Sequence, residues 1–358
     1  MFSCAAIASA RGASAGLLLG VARAQPEDAV PREVLDDYFS RAGYSVAPRQ
    51  ELSVLPWPDG ADLQDELEVI VSEFLVGSGA LEVVLDVTHG PNFLPVALRG
   101  AVDWACRVAS SVAWSDLSLR VYAASPPAGG GSRVHLISGR RFTPGSSLRD
   151  LAWRVLEEDP PPSVPASLAA DARISASALL FSLLLPLSYS AADAVGWRRA
   201  SSGWESSALA LLAGIRRVLE AAGIEPGHPL SLESSERLVE ELRSMHLPSH
   251  VLAAIEVRRI RRAVLEHLRR GGGRGTVSLE EVLQGRERGE DPAQFERNLV
   301  AHAGFDISSV MVDLSGVGSP EEAGRARLFY RDWRGVREVL LDFSRGMVAR
   351  RTGDGGHG

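Results

Sequence analysis

The sequence predicts an α/β plus all-α protein, with an N-terminal Rossmann-like domain on a parallel-type sheet and a C-terminal helical domain. Three observations predict it. Apolar runs alternate with amphipathic helical patterns over roughly the first 140 residues, the βαβα rhythm of a doubly wound sheet. Residues 81–87 are apolar apart from Glu82 and the penultimate Asp86, a pattern of strands covered on both faces. Beyond residue 165 the apolar spacing is helical almost throughout. A chain of 358 residues is also comfortable for two domains.

Taken in order, residues 2–8 read as a first buried strand. Residues 15–24 mimic a signal-peptide core, but Arg11 is the one basic residue before them and residues 2–8 are themselves apolar. The expectation is a cytoplasmic protein. Residues 31–43 read as a helix, with Pro31 at its first position and Gly43 at its end. Residues 62–75 form a second helix, with Leu63, Leu67, Ile70, Val71 and Phe74 on one side. A strand at 81–87, a helix at 95–110, a strand at 117–123 and an edge strand or hairpin at 132–138 follow.

Residues 126–131 are rich in Pro and Gly, and Glu158-Asp159-Pro160-Pro161-Pro162 is a second breaker cluster. These divide the chain into a domain at 1–145, a linker at 146–164, a domain at 165–350 and a flexible tail at 351–358. Helices are expected at 166–189, 202–222, 231–245, 249–270, 278–283, 292–303 and within 333–348, with a short extended piece at 327–330. No apolar run reaches the roughly 20 residues of a membrane span.

The composition is that of an ordinary globular protein, 45% hydrophobic and 23% charged. A net charge of −7 supplies no overall basic field, so a nucleic-acid partner must be held locally. All basic side chains other than histidine are arginine, which excludes Schiff-base, Walker-lysine and kinase-lysine chemistry. Cys4 and Cys106 are too few for a disulfide framework or a zinc site and read as small buried hydrophobes. No metal site and no cofactor are expected.

Two motifs carry chemistry. Asp86-Val87-Thr88-His89-Gly90-Pro91-Asn92 falls at the carboxyl end of a predicted strand, where open α/β sheets bind ligands. Thr88, His89 and Asn92 offer hydroxyl, imidazole and amide groups, Gly90 permits close approach, and the following helix turns its positive end toward phosphate. A Thr-His-Gly turn equally suits a loop that satisfies its own backbone.

The second motif is Arg297-Asn298-Leu299-Val300-Ala301-His302. Asp291, Pro292 and Gln294 mark the start of its helix and Gly304 its end. Asn298 and His302 are one turn apart, so the amide can orient the imidazole. Arg297 lies about 140° round from His302 at ~3.6 residues per turn, which suits a site shared with another chain. Arginine can stabilise a phosphorane and histidine can move its proton near neutral pH. On an ordinary helix the same residues would be an exposed arginine and a capping histidine.

Asp86, Thr88, His89, Gly90 and Asn92 resemble the Asp-x-Thr-His-Gly-x-Asn signature of CRISPR-associated CARF domains. Arg297-Asn298-Leu299-Val300-Ala301-His302-Ala303-Gly304 resembles the Arg-Asn-x-x-Ala-His-x-Gly form of the HEPN ribonuclease motif. Their order resembles the CARF–HEPN effectors of type III CRISPR systems. The resemblance implies a Rossmann-like, dimeric first domain that binds cyclic oligoadenylate, most often the cyclic tetramer, through Thr88, His89, Gly90 and Asn92, with Asp86 bracing the loop. The loop after the first strand would add Ser9 and Arg11, although small residues replace most of the family's bulkier polar pattern there.

For the second domain the resemblance implies a metal-independent single-stranded RNA endoribonuclease in antiviral defence. Arg297, Asn298 and His302 of two chains would form one site, in a homodimer or an oligomer of dimers, with no membrane partner. The products would be a 2′,3′-cyclic phosphate and a 5′-OH. A non-catalytic nucleotide sensor, and a CARF domain that also degrades its ligand, are the alternatives. The run Arg258, Arg259, Arg261, Arg262, Arg269, Arg270 and Arg274 reads first as a solvated helix face. Leu252, Ile255, Val264 and Leu268 read as the opposite core face.

Overall fold

The computed structural model describes residues 15–22, 49–56, 62–87, 93–124, 133–190, 197–273, 275–283 and 295–353. The chain divides into two compact units, residues 1–144 with 199–206, and residues 145–198 with 207–358.

In the first unit β1 (Ala15–Ala22) and β2 (Arg49–Pro56) pair in parallel as a two-stranded sheet. β1 uses the apolar run that mimics a signal-peptide core, and β2 was not anticipated. The expected strand at 2–8 and helix at 31–43 lie outside the described residues. Then come α1 (Asp62–Ser78), β3 (Glu82–Asp86), α2 (Phe93–Ala113), β4 (Leu117–Ala124) and β5 (Val134–Phe142). β3 runs parallel to β4, and β5 is antiparallel to β4.

The periodicity read in α1 has its physical cause here. Leu67, Val71 and Leu75 are buried, the latter two in a core with Leu85, Val102, Cys106, Leu119, Val121 and Phe142. Leu67 and Leu63 meet Leu94 and Ala101 of α2. One expectation is corrected among the described residues. β3 is an edge strand in which only Leu85 is buried, rather than a strand covered on both faces. Glu82 faces solvent and pairs with Arg120 at 3.1 Å. An apolar run records burial potential, but not how many neighbours a strand acquires.

The second unit contains α3 (Pro144–Glu157, from Gly145 on), α4 (Ala166–Leu180), α5 (Leu184–Ser190), most of α6 (Gly203–Ala221), β6 (Leu230–Ser231), α7 (Leu232–Ser244) and α8 (His250–Arg269). It continues with β7 (Thr276–Ser278), α9 (Leu279–Val282), α10 (Phe295–Ala301), β8 (Val310–Asp313), a 3-10 turn (Pro320–Arg325), β9 (Arg327–Tyr330) and α11 (Trp333–Gly353). Much of the stretch expected as a linker is therefore helix α3, anchored by buried Leu148, Leu151, Ala152 and Val155.

The expectation of an all-α second domain is also corrected. The unit carries a four-stranded antiparallel sheet in the order β6-β9-β8-β7. Strands of two to four residues are too short to display an alternating pattern, which needs roughly four to eight. The extended piece expected at 327–330 is β9.

The helix expected at 166–189 breaks into α4 and α5. Ser182 takes a left-handed φ of 53° at the break. Pro186 lacks the N–H that a continuous helix would direct at the Ser182 carbonyl. The Ser249 hydroxyl donates to the Leu180 carbonyl at 2.7 Å, satisfying part of the exposed helix end. Among the described residues no helix is long and apolar enough to cross a membrane.

Ser231 caps α7, its hydroxyl oxygen accepting from the Ser234 N–H at 2.9 Å. Ser231→Ala is expected to cost about 1 kcal/mol. Urea denaturation of the second unit checks this, and an unchanged midpoint would contradict it.

Candidate active site in the second unit

The downstream motif lies on α10 and the turn after it. The start signals Asp291, Pro292 and Gln294 fall outside the described residues, as does the side chain of Arg297. Asn298 is buried, and its carbonyl accepts from the His302 N–H at 2.9 Å. That bond holds Asn298 and His302 one turn apart.

The helix ends in a Schellman arrangement. The Gly304 N–H donates to the Leu299 carbonyl at 2.7 Å, and the Ala303 N–H to the Val300 carbonyl at 3.3 Å. His302 is thus the last, half-helical residue. The left-handed position that the sequence assigns to Gly304 alone is shared: φ is 52° at Ala303 and 84° at Gly304. Alanine pays a steric penalty there that glycine does not.

The turn is tied down by three contacts from α5 and β9. The Leu184 N–H at the start of α5 donates to the Ala303 carbonyl at 3.1 Å. Pro186 packs so closely that a Cβ on residue 304 would lie 2.6 Å from its Cδ. The Tyr330 hydroxyl donates to the Gly304 carbonyl at 2.5 Å. Tyr330 is fully enclosed, stacks on Trp333 and contacts Tyr189. Burial pushes its phenol well above the ordinary value, so it remains a donor.

Beside this turn stands a carboxylate. His302 Nδ1 is 3.4 Å from Glu256 Oε1, and Arg259 Nε donates to Glu256 Oε2 at 2.8 Å. Burial alone would raise the Glu256 carboxyl. The contact with His302 and the guanidinium of Arg259 outweigh burial and hold it below the usual carboxylate range. The Glu256 side chain is 11% exposed and that of His302 22%. Glu256 is thus nearly enclosed, and His302 is partly exposed, although its Nδ1 is buried and makes no hydrogen bond.

Sequence reasoning missed Glu256, though a signal existed. Buried positions on α8 are Ala253, Glu256, Val257, Ile260, Val264 and His267. A glutamate among the buried positions of a helix is uncommon unless something pairs with it. Val264 is buried as expected, but the first turns of the helix face the other way. Leu252 and Ile255, expected in the core, are 50% and 53% exposed, and Val251 is 51% exposed. Pairing with Arg259 and His302 offsets the cost of bringing Glu256 inward, and that fixes the helix rotation.

Much of the basic run is paired. Arg261 bonds both oxygens of Glu236 at 2.6 Å, Arg262 meets Glu266 at 3.1 Å and Arg270 meets it at 3.8 Å. These are the contacts of a solvated charged face rather than of an open phosphate track.

Of the upstream motif, Asp86 ends β3 opposite Tyr122. The Val87 N–H donates to the Tyr122 carbonyl at 2.9 Å, carrying the ladder to the residue before Thr88. Thr88, His89, Gly90, Asn92, Ser9 and Arg11 lie outside the described residues. Beside Val87 opens a cavity of about 640 Å³ whose polar lining includes Arg99, Asp103, Ser138 and Arg140. Arg140 pairs with Asp103 at 3.1 Å. Among the described residues no three His, Cys, Asp or Glu side chains converge as metal ligands.

The turn predicts opposite effects at neighbouring positions. Gly304→Ala should cost about 2 kcal/mol or more, from its positive φ and the clash with Pro186. Ala303→Gly should be neutral or gain up to about 1 kcal/mol. Chemical denaturation of both variants checks the pair, and a destabilised Ala303→Gly with a tolerated Gly304→Ala would refute the turn. Compared with protein-family models and with curated proteins, the chain matches none.

Proposed function

We propose that this chain is a cyclic-oligoadenylate-activated, metal-independent endoribonuclease of the CARF–HEPN kind, acting on single-stranded RNA in type III CRISPR defence. The observation that carries the reading is the fixed placement of His302. It ends its helix one turn after Asn298, beside a carboxylate held below its usual range, with the side chain partly exposed. The residue pattern around it resembles the HEPN motif, and the upstream motif resembles the CARF signature in the expected order.

On this reading the ribose 2′-OH attacks the adjacent phosphorus. His302 takes or returns the proton, and Arg297 stabilises the charge on the phosphorane oxygens. The ligand, the cyclic tetramer as first choice, is held in the first unit by Thr88, His89, Gly90 and Asn92. Its binding shifts the population toward a cleaving state. The resemblance implies a homodimer, because two copies of the motif make one site. Support for a second copy comes from Val251, Leu252 and Ile255, which form an exposed apolar face on α8 next to Glu256.

Cleavage of a labelled single-stranded RNA, with and without cyclic tri-, tetra- and hexaadenylate, tests the function. The expected result is activation by one ring size and loss of cleavage by at least about 100-fold in His302→Ala. An uncut substrate in every condition refutes the enzyme. Ile255→Asp should yield a monomer that does not cleave RNA. A dimeric, active Ile255→Asp variant refutes the α8 interface.

A further inference from the structure

We propose that the groove between α2 and β5 of the first unit binds a small amphipathic anion, its phosphate or carboxylate on Arg99 and Ser138 and its apolar body against Val96 and Ile137. The groove is built from α2, β4, β5 and Val87, and the proposal does not rest on the ribonuclease reading.

The register of the elements makes the groove. Arg99 and Asp103 lie one turn apart on α2, and Ser138 and Arg140 lie two residues apart on β5, so each pair shares a face. Two rungs cross from helix to strand. The Arg99 guanidinium donates to the Ser138 hydroxyl at 3.5 Å, and Arg140 donates to both oxygens of Asp103 at 3.1 Å. On β4, Val121 stands opposite Ser138 and Leu119 opposite Arg140, and with Val87 they make an apolar floor. The cavity of about 640 Å³ is of a size with small-molecule sites, roughly 300–1,000 Å³.

The rungs differ in charge. Asp103 neutralises Arg140 and also holds Arg107. That rung is a strut, because the Arg107 and Arg140 guanidiniums lie 5.4 and 5.1 Å from the centre of the Phe142 ring. Arg99 instead meets a hydroxyl over a long contact, and among the described residues no carboxylate pairs with it. An exposed guanidinium beside a hydroxyl is the donor set that recognises a phosphate or a carboxylate.

The apolar walls select the rest of the ligand. Val121 stands opposite Ser138 but Tyr122 opposite Leu136, which leaves Ile137 as the extra residue of a bulge. A bulge re-aims a side chain, and Ile137 lines the groove while 52% exposed. Val96, three residues before Arg99 on the same helix face, also lines it and is 74% exposed. A bare ion would leave both side chains in water. A neutral apolar molecule would desolvate Arg99 without compensation. A ligand with both characters satisfies the groove.

Calorimetric titration of the full chain with adenosine monophosphate, uridine monophosphate and octanoate tests the site. Inorganic phosphate, adenosine and octanol serve as half-ligands. The expected result is binding of a nucleotide or of octanoate at least about tenfold tighter than of inorganic phosphate. A nucleotide preference assigns a planar body, an octanoate preference an acyl one. Arg99→Gln should weaken the bound anion about tenfold or more. Arg99→Lys should weaken it less, since it keeps the charge and loses the fork. The neutral half-ligand should not respond to Arg99→Gln, whereas Ile137→Ser should weaken both it and the anion. Arg99 and Ile137 are exposed, so neither change opens the core.

Three results overturn the proposal. One is no binding of any of the three anions. Another is inorganic phosphate held as tightly as the organic anions. The third is wild-type affinity in both Arg99→Gln and Ile137→Ser, which would put the ligand elsewhere.

Discussion

The double left-handed turn at Ala303 and Gly304 is the constraint on which the site depends. It stops α10 at His302 and reverses the chain immediately afterwards. Without it the imidazole would ride on a longer helix and its direction would follow the helix axis. With it, His302 is held between a helix end and a buttress made by the Leu184 N–H, Pro186 and the Tyr330 hydroxyl. The break between α4 and α5, imposed in part by Pro186, therefore has a use beyond ending a helix. It exposes a backbone donor and a flat proline ring where the turn must sit.

Electrostatics add the second layer. The enclosed Glu256 carboxylate would be costly alone, and removing one partner of such a group commonly costs several kcal/mol because the other charge is left uncompensated. Here Arg259 and His302 divide its two oxygens. The same pairing turns the apolar edge of α8 outward, leaving Val251, Leu252 and Ile255 exposed. A local charge arrangement thus sets both the environment of the imidazole and the character of the neighbouring surface.

Much of this was legible in the sequence, and the exceptions share a cause. The helices at 62–78 and 93–113, the strand at 117–124 and the helix carrying the motif are signalled by long apolar periodicities and by Gly304. Of the four-stranded sheet of the second unit only β9 was, because strands of two to four residues are too short to have a period. Pro186 lay in plain view, but its consequence depends on Ser182 tolerating a left-handed backbone and on Ser249 satisfying the helix end. Glu256 sits 46 residues from His302, and no local pattern couples the two. The exposed face of α8 was misassigned because hydropathy alone placed Leu252 and Ile255 inward. The pairing of one glutamate decided the rotation instead.

The proposed ribonuclease has His302 perform acid–base chemistry on RNA as the neighbouring 2′-OH attacks the phosphorus and expels the 5′-oxygen. The decisive measurement is end-group analysis of RNA products formed in the presence of a metal chelator. Undiminished cleavage with 2′,3′-cyclic phosphate and 5′-hydroxyl termini is expected. Products bearing 3′-hydroxyl and 5′-phosphate termini, or cleavage abolished by the chelator, would contradict it.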